Sequence, residues 1–259
     1  MTPEDLGALR LAKNLLENPG WAVKATALIG TPLEKGMNML PEKWSGQINR
    51  SVRVALGMAL RIAAGSLAEA PGRASAERAH TFAAAAGGGV GGVFGLPGLL
   101  VELPFSTVIM LRSIAEIARS EGESIHDPET LLSCLEVFAL GGRSSSDNAA
   151  ESGYFAMRAL LARSMQEAAQ HIASKGLSQK GAPVLVRFIG QIASRFGITI
   201  GEKAAAQALP MLGAAGGAMI NTVFIRHFQD TARGHFTVRR LERVYGAERI
   251  AQEYAALVV

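Results

Sequence analysis

The chain has 259 residues, a formal net charge of +4 and one cysteine. That length allows one large domain or two small ones, and a single cysteine excludes an internal disulfide and points to a reducing compartment. Hydrophobic residues make up 49% and aromatics only 6%, while Lys and Arg are scattered among acids, so no nucleic-acid footprint stands out.

Thr2-Pro3-Glu4-Asp5 opens a first helix: a capping hydroxyl, a first-turn proline, and acids at the positive helix end. Leu6, Leu9, Leu15 and Leu16 form its apolar stripe, which ends at Asn18-Pro19-Gly20. No basic segment precedes a long apolar one, so a secretory signal is not expected. The expectation is a cytoplasmic protein, with peripheral attachment to the inner membrane face as an extension of it. Trp21 begins a short helix stopped near Gly30-Thr31-Pro32, and a third short helix precedes Pro41. A longer helix is predicted from about 41 to 67, before Pro71-Gly72 breaks the chain.

Seven glycines then fall between Gly87 and Gly98, inside an uncharged run from Thr81 to Val101. Gly87, Gly91 and Gly95 follow a small-xxx-small spacing, as do Gly88 with Gly92 and Gly213 with Gly217, which suits close helix packing or lipid contact. Seven helical glycines cost on the order of 5–7 kcal/mol against alanine, so packing must offset them. The segment from Ser75 to Pro97 reads as one arm of a helical hairpin, and Pro97 to Ser120 as the other. A buried hairpin in a soluble fold is favoured over a re-entrant one. Pro97 and the nearby Glu102, Arg112 and Glu116 argue against a stable span. The literal G-x-G-x-x-G at Gly87, Gly89 and Gly92 follows alanines rather than a strand and lacks the later acid, so it is accidental.

Glu121-Gly122 ends this region, and Asp127-Pro128-Glu129 opens a helix that stops at Gly141-Gly142. Cys134 sits in its apolar run as a buried, inert thiol. Ser144-Ser145-Ser146-Asp147 caps a long helix to Lys175-Gly176. Helices follow near 183–196 and 201–225, the latter kinked at Pro210, and the charged tail 237–256 continues helical. A second uncharged run, Ala204 to Ile225, repeats the small-residue chemistry. Arg112, Glu116, Ala118 and Arg119 match Arg226, Asp230, Ala232 and Arg233 at a constant offset of 114, from a loose duplication or by chance. With no period-2 strand, the predicted fold is all-α: a compact multi-helix bundle with two Gly/Ala-rich helical hairpins and no sheet. One domain, 1–259, divides into 1–72, 73–142 and 143–259.

Asp147, Glu151, Tyr154 and Arg158 fall at i, i+4, i+7 and i+11 on one helix face. They read as a solvated stripe, a hydrogen-bonded clasp, or a grip on an anionic group. His227, Asp230 and His235 only loosely suggest a metal, since His235 lies past Gly234, where the helix can end; no metal and no cofactor is expected. Asn221, alone in an apolar run, is expected to hydrogen-bond between helices. Arg239, Arg240 and Arg243 are the densest basic group, read as a solvated face in preference to a patch for anionic lipid or nucleic acid.

The chain resembles the EcsC protein family of bacteria. The resemblance rests on separated blocks in order: Gly30-Thr31-Pro32-Leu33-Glu34 with Leu40-Pro41; Leu96-Pro97-Gly98 with Glu102-Leu103-Pro104 and Leu111 to Ala118; Val137 to Arg143 with Asp147, Glu151, Gly153-Tyr154 and Arg158; and Gly213 to Ala218 with Asn221, His235-Phe236 and Arg240 to Gly246. Glu102 departs from the pattern, where aspartate is expected, and that weakens any role needing the shorter carboxylate. The resemblance implies an accessory role beside a membrane transport complex, with no assigned activity. The expected function is therefore a non-enzymatic protein associated with membrane lipid or such a complex. The first alternative is a hydrolase acting on lipid or peptide through Glu102, Arg112, Asp147, Glu151, Tyr154 and Arg158. The second is a soluble carrier of an apolar ligand. Oligomeric state is not legible.

Overall fold

The computed structural model describes residues 1–17, 21–30, 43–66, 77–142, 153–177, 182–208 and 213–258. Among these residues there are nine α-helices and no strand: α1 Pro3–Glu17, α2 Trp21–Ile29, α3 Lys43–Ser66, α4 Glu77–Ser120, α5 Pro128–Leu140, α6 Tyr154–Lys175, α7 Pro183–Ala208, α8 Gly213–Tyr245 and α9 Ala247–Ala256. The all-α bundle is as the sequence predicts. The Thr2 hydroxyl accepts from the Asp5 backbone N–H at 3.1 Å and donates to the Asp5 carboxylate at 2.7 Å, closing the first turn of α1. Asp127 caps α5 by accepting from the Glu129 N–H.

The turn expected at Pro97 is absent: α4 runs unbroken for 44 residues, with Pro97 and Pro104 in its interior. A proline removes one N–H and bends a helix; a reversal would leave up to four carbonyls unpaired at the end of the first arm and up to four N–H groups at the start of the second. Gly87, Gly88, Gly91, Gly92 and Gly95 are therefore turns of one helix rather than one arm of a hairpin. The break expected between 196 and 201 is likewise missing, since α7 is continuous to Ala208. Pro210 and the third short helix expected before Pro41 lie outside the described residues.

The core is organised by α4 and α8, which pack along one another. Gln229 donates to the Ser113 hydroxyl, Thr237 to Glu121 and Arg239 to Glu123. Each pair is 116 residues apart, so the two helices run parallel in fixed register. The segments matched at an offset of 114 thus lie side by side. On α8, Gly234 continues the helix instead of ending it. A Cβ there would fall 2.7 Å from Leu16 Cγ and 2.9 Å from the Ala12 carbonyl, so glycine lets α1 lie close against α8. Lys13 of α1 then donates to the Tyr254 and Leu257 carbonyls at 2.9 and 2.7 Å, satisfying the C-terminal end of α9.

Candidate functional site

Tyr154 and Arg158 stand one turn apart at the start of α6, on a shared face as the spacing predicts. They meet α8. Arg158 donates to both Glu242 carboxylate oxygens, at 2.6 and 3.0 Å, and to the Tyr154 oxygen at 3.3 Å. A guanidinium only donates, so Tyr154 accepts from Arg158 and sends its own proton to His235 Nδ1, 2.9 Å away. His235 consequently carries its proton on Nε2, which lies 3.6 Å from the Glu136 carboxylate of α5.

Burial governs the protonation of this relay. It holds His235 neutral, well below its ordinary range, with the nearby Arg158 and Arg239 adding to the effect. It pushes the Tyr154 phenol up and the Glu136 carboxyl up to about 7, the latter against the pull of Arg158 and Arg239. For Arg158, burial acts downward, but Tyr154 and Glu242 outweigh it and the group stays charged. Of the three readings of this stripe, the hydrogen-bonded clasp describes Tyr154 and Arg158. Asp147 and Glu151 lie outside the described residues, and α6 begins only at Tyr154.

The tail arginines are not a free basic patch. Arg239 donates to Glu123 at 2.8 Å, and Glu123 also accepts from Thr130 and Arg243. Arg240 binds Glu121 at 2.8 Å and approaches Asp5 at 3.5 Å. Tyr245 closes the cluster by donating to Asp5 at 2.7 Å, the main reason the Asp5 carboxyl sits below its ordinary range. Burial would raise Glu123, but Arg239 reverses that. These cations tie the end of α4 and the start of α1 to α8.

Glu102 belongs to a different cluster. Its Oε1 accepts from Lys203 of α7 at 3.2 Å, and Lys203 also donates to Asn221 of α8 at 2.7 Å. Asn221 thus makes the interhelical hydrogen bond its sequence context predicts. Arg112 is exposed on α4, with no ion pair among the described residues. Gly213 begins α8 and Gly217 is buried within it. His227 does not ligate a metal with Asp230 and His235: its Nε2 donates to the Gly141 carbonyl at 2.8 Å, and burial pulls it down to about 4. Among the described residues no group of three His, Cys, Asp or Glu side chains is placed to hold a metal. Cys134 is fully buried and burial pushes its thiol up, in keeping with an inert side chain.

Sequence reasoning missed Glu136 and Lys203, weighed His235 only as a loose metal candidate, and named Glu242 only within the resembling block. Glu136 carried one readable signal, as a lone carboxylate between Leu135 and Val137 in a helix that is buried all round.

The surface of α3 has a different character. The helix contains Lys43, Arg50, Arg53 and Arg61 and no acidic residue. Arg50, Arg53 and Arg61 are exposed and have no partner among the described residues. Val54, 54% exposed, shares their half of the helix with the exposed Met58 and Ile62. On α4, which packs beside α3, Val101 and Phe105 are 80% and 67% exposed, and Arg112 continues the same face at i+11.

A family model described as the EcsC protein family matches residues 22–241 of the chain. No curated protein and no solved structure matches it.

Proposed function

The chain belongs to the EcsC protein family, and on that footing we propose that it is a peripheral protein of an anionic membrane face, docking through α3 and the exposed stripe of α4. The observation that carries this reading is the solvent face of α3, where three arginines without a partner among the described residues stand beside Val54, Met58 and Ile62 with no acid on the helix. Such a face suits the headgroup boundary: guanidiniums reach phosphates, and the apolar side chains enter the upper acyl region. Val101 and Phe105 extend the apolar part, and Arg112 adds a fourth cation.

Lying on the membrane fits better than crossing it. Two segments, Gly98–Ser120 and Pro183–Gln207, are long and apolar enough to span a bilayer by length and composition, but 50% and 39% of their apolar windows are buried inside the bundle. They also carry the Glu102–Lys203 pair, whose exposure to lipid would be costly. The lipid contact is assigned to α3 rather than to the Arg239–Arg243 segment, whose guanidiniums are engaged by Glu121, Glu123 and Asp5.

Flotation with liposomes tests this. The wild type floats with anionic vesicles and not with neutral ones. Arg50→Gln/Arg53→Gln/Arg61→Gln removes about 3 kcal/mol of surface attraction, or on the order of 100-fold in partitioning. Unchanged flotation of that variant, or equal flotation with neutral vesicles, counts against the proposal.

A further inference from the structure

A groove of about 720 Å³ opens between α5, α6, α8 and α9. Its apolar wall is formed by Ala159, Ala162 and Met165 of α6 and Ala247 and Ala251 of α9. Glu136, only 2% exposed, lies among the lining residues yet makes no hydrogen bond among the described residues. His235 Nε2, 3.6 Å from it, is also buried without a hydrogen-bond partner. The His235 N–H already points toward Glu136, so the unmet capacity that faces the groove is the acceptor capacity of the carboxylate, and a carboxylate this buried at a cavity marks a place where a bound hydrogen-bond donor completes the bonding.

Charge decides which molecule. The carboxylates of Glu129, Glu136, Glu242 and Glu248 line the groove against the guanidiniums of Arg158 and Arg239. Both guanidiniums are already committed, Arg158 to Glu242 by two bonds and Arg239 to Glu123. An anion would find no free cation and would face Glu136. A cation finds a carboxylate with unused acceptor capacity, and a hydrocarbon body finds the alanine wall.

We propose that the groove binds an amphipathic organic cation of the alkylammonium class, its ammonium donating to Glu136 and its chain lying between α6 and α9. This site is distinct from the lipid-facing surface of α3.

Calorimetric titration of the full chain with hexylammonium, hexanol and hexanoate is the test. Saturable binding of hexylammonium, absent for hexanoate and weaker for hexanol, is expected. Glu136→Gln, close to isosteric, weakens it at least about tenfold. Ala162→Trp fills the groove from an exposed position that the fold does not depend on, and abolishes binding. The proposal is overturned if hexylammonium gives no saturable heat, if hexanoate or hexanol binds as well, or if either variant binds like the wild type.

Discussion

Lys203→Ala is expected to remove about 3–5 kcal/mol of folding stability, a large share of what a domain of this kind possesses. Lys203 is completely buried, and burial pulls its ammonium below its ordinary range, opposed by Glu102. It donates to Glu102 and Asn221 and lies 5.0 Å over the Phe224 ring, so one side chain joins α4, α7 and α8. Glu102, 8% exposed at its side chain, already has one oxygen without a hydrogen-bond partner. Taking the ammonium away leaves a carboxylate in the core with no counter-charge. Lys203→Met combined with Glu102→Leu removes both charges together and should recover most of the loss. Urea unfolding measures both variants; a single-variant loss below about 1 kcal/mol would show that Glu102 does not depend on Lys203.

Phe228→Ala is expected to cost about 3–5 kcal/mol by the same measurement. Its ring sits 5.5 Å from Phe138, 5.4 Å from Phe196 and 5.1 Å from Phe224, and Trp21 packs edge-on to Phe224 at 5.1 Å. Helices α2, α5, α7 and α8 meet in this cluster, and each ring is fully buried or nearly so. An alanine would leave a cavity walled by aromatic rings on separate helices, which cannot all close in on it. Phe228→Leu keeps most of the volume and should lose about 1–2 kcal/mol. Equal losses for Ala and Leu would show that the site relaxes freely.

Local signals were the most readable part of this chain. The glycines that stop helices are legible because left-handed backbone favours glycine: Gly30, Gly122 and Gly176 all have φ near +70 to +83° at the ends the sequence predicts. The Tyr154–Arg158 pair and the role of Asn221 follow from helical spacing and from an isolated amide. Pro97 misled because a proline next to glycines has the same local signature in a bend as in a reversal, and only the length of helix supported on each side decides between them. The Arg239–Arg243 group misled because its partners, Glu121, Glu123 and Asp5, lie more than a hundred residues away. Glu136 and His235 were hidden for the same reason: their significance is a 3.6 Å approach between two helices. The acid-free face of α3 was present in the sequence. It becomes meaningful once Val54, Met58 and Ile62 are known to be outside and Val52, Leu56 and Leu60 inside.

The proposed docking of α3 on lipid is tested most directly by depth-dependent quenching. Met58→Cys offers an exposed thiol, while Cys134 is buried and its thiol is pushed up, so a fluorophore attaches selectively at position 58. A matched probe at Leu160→Cys, on the exposed side of α6, reports a face not assigned to lipid. With anionic vesicles whose acyl chains are brominated near the headgroup, the probe at 58 should be strongly quenched and the probe at 160 should not. Equal quenching at both positions, or none at 58 while the protein is vesicle-bound, would contradict docking through α3.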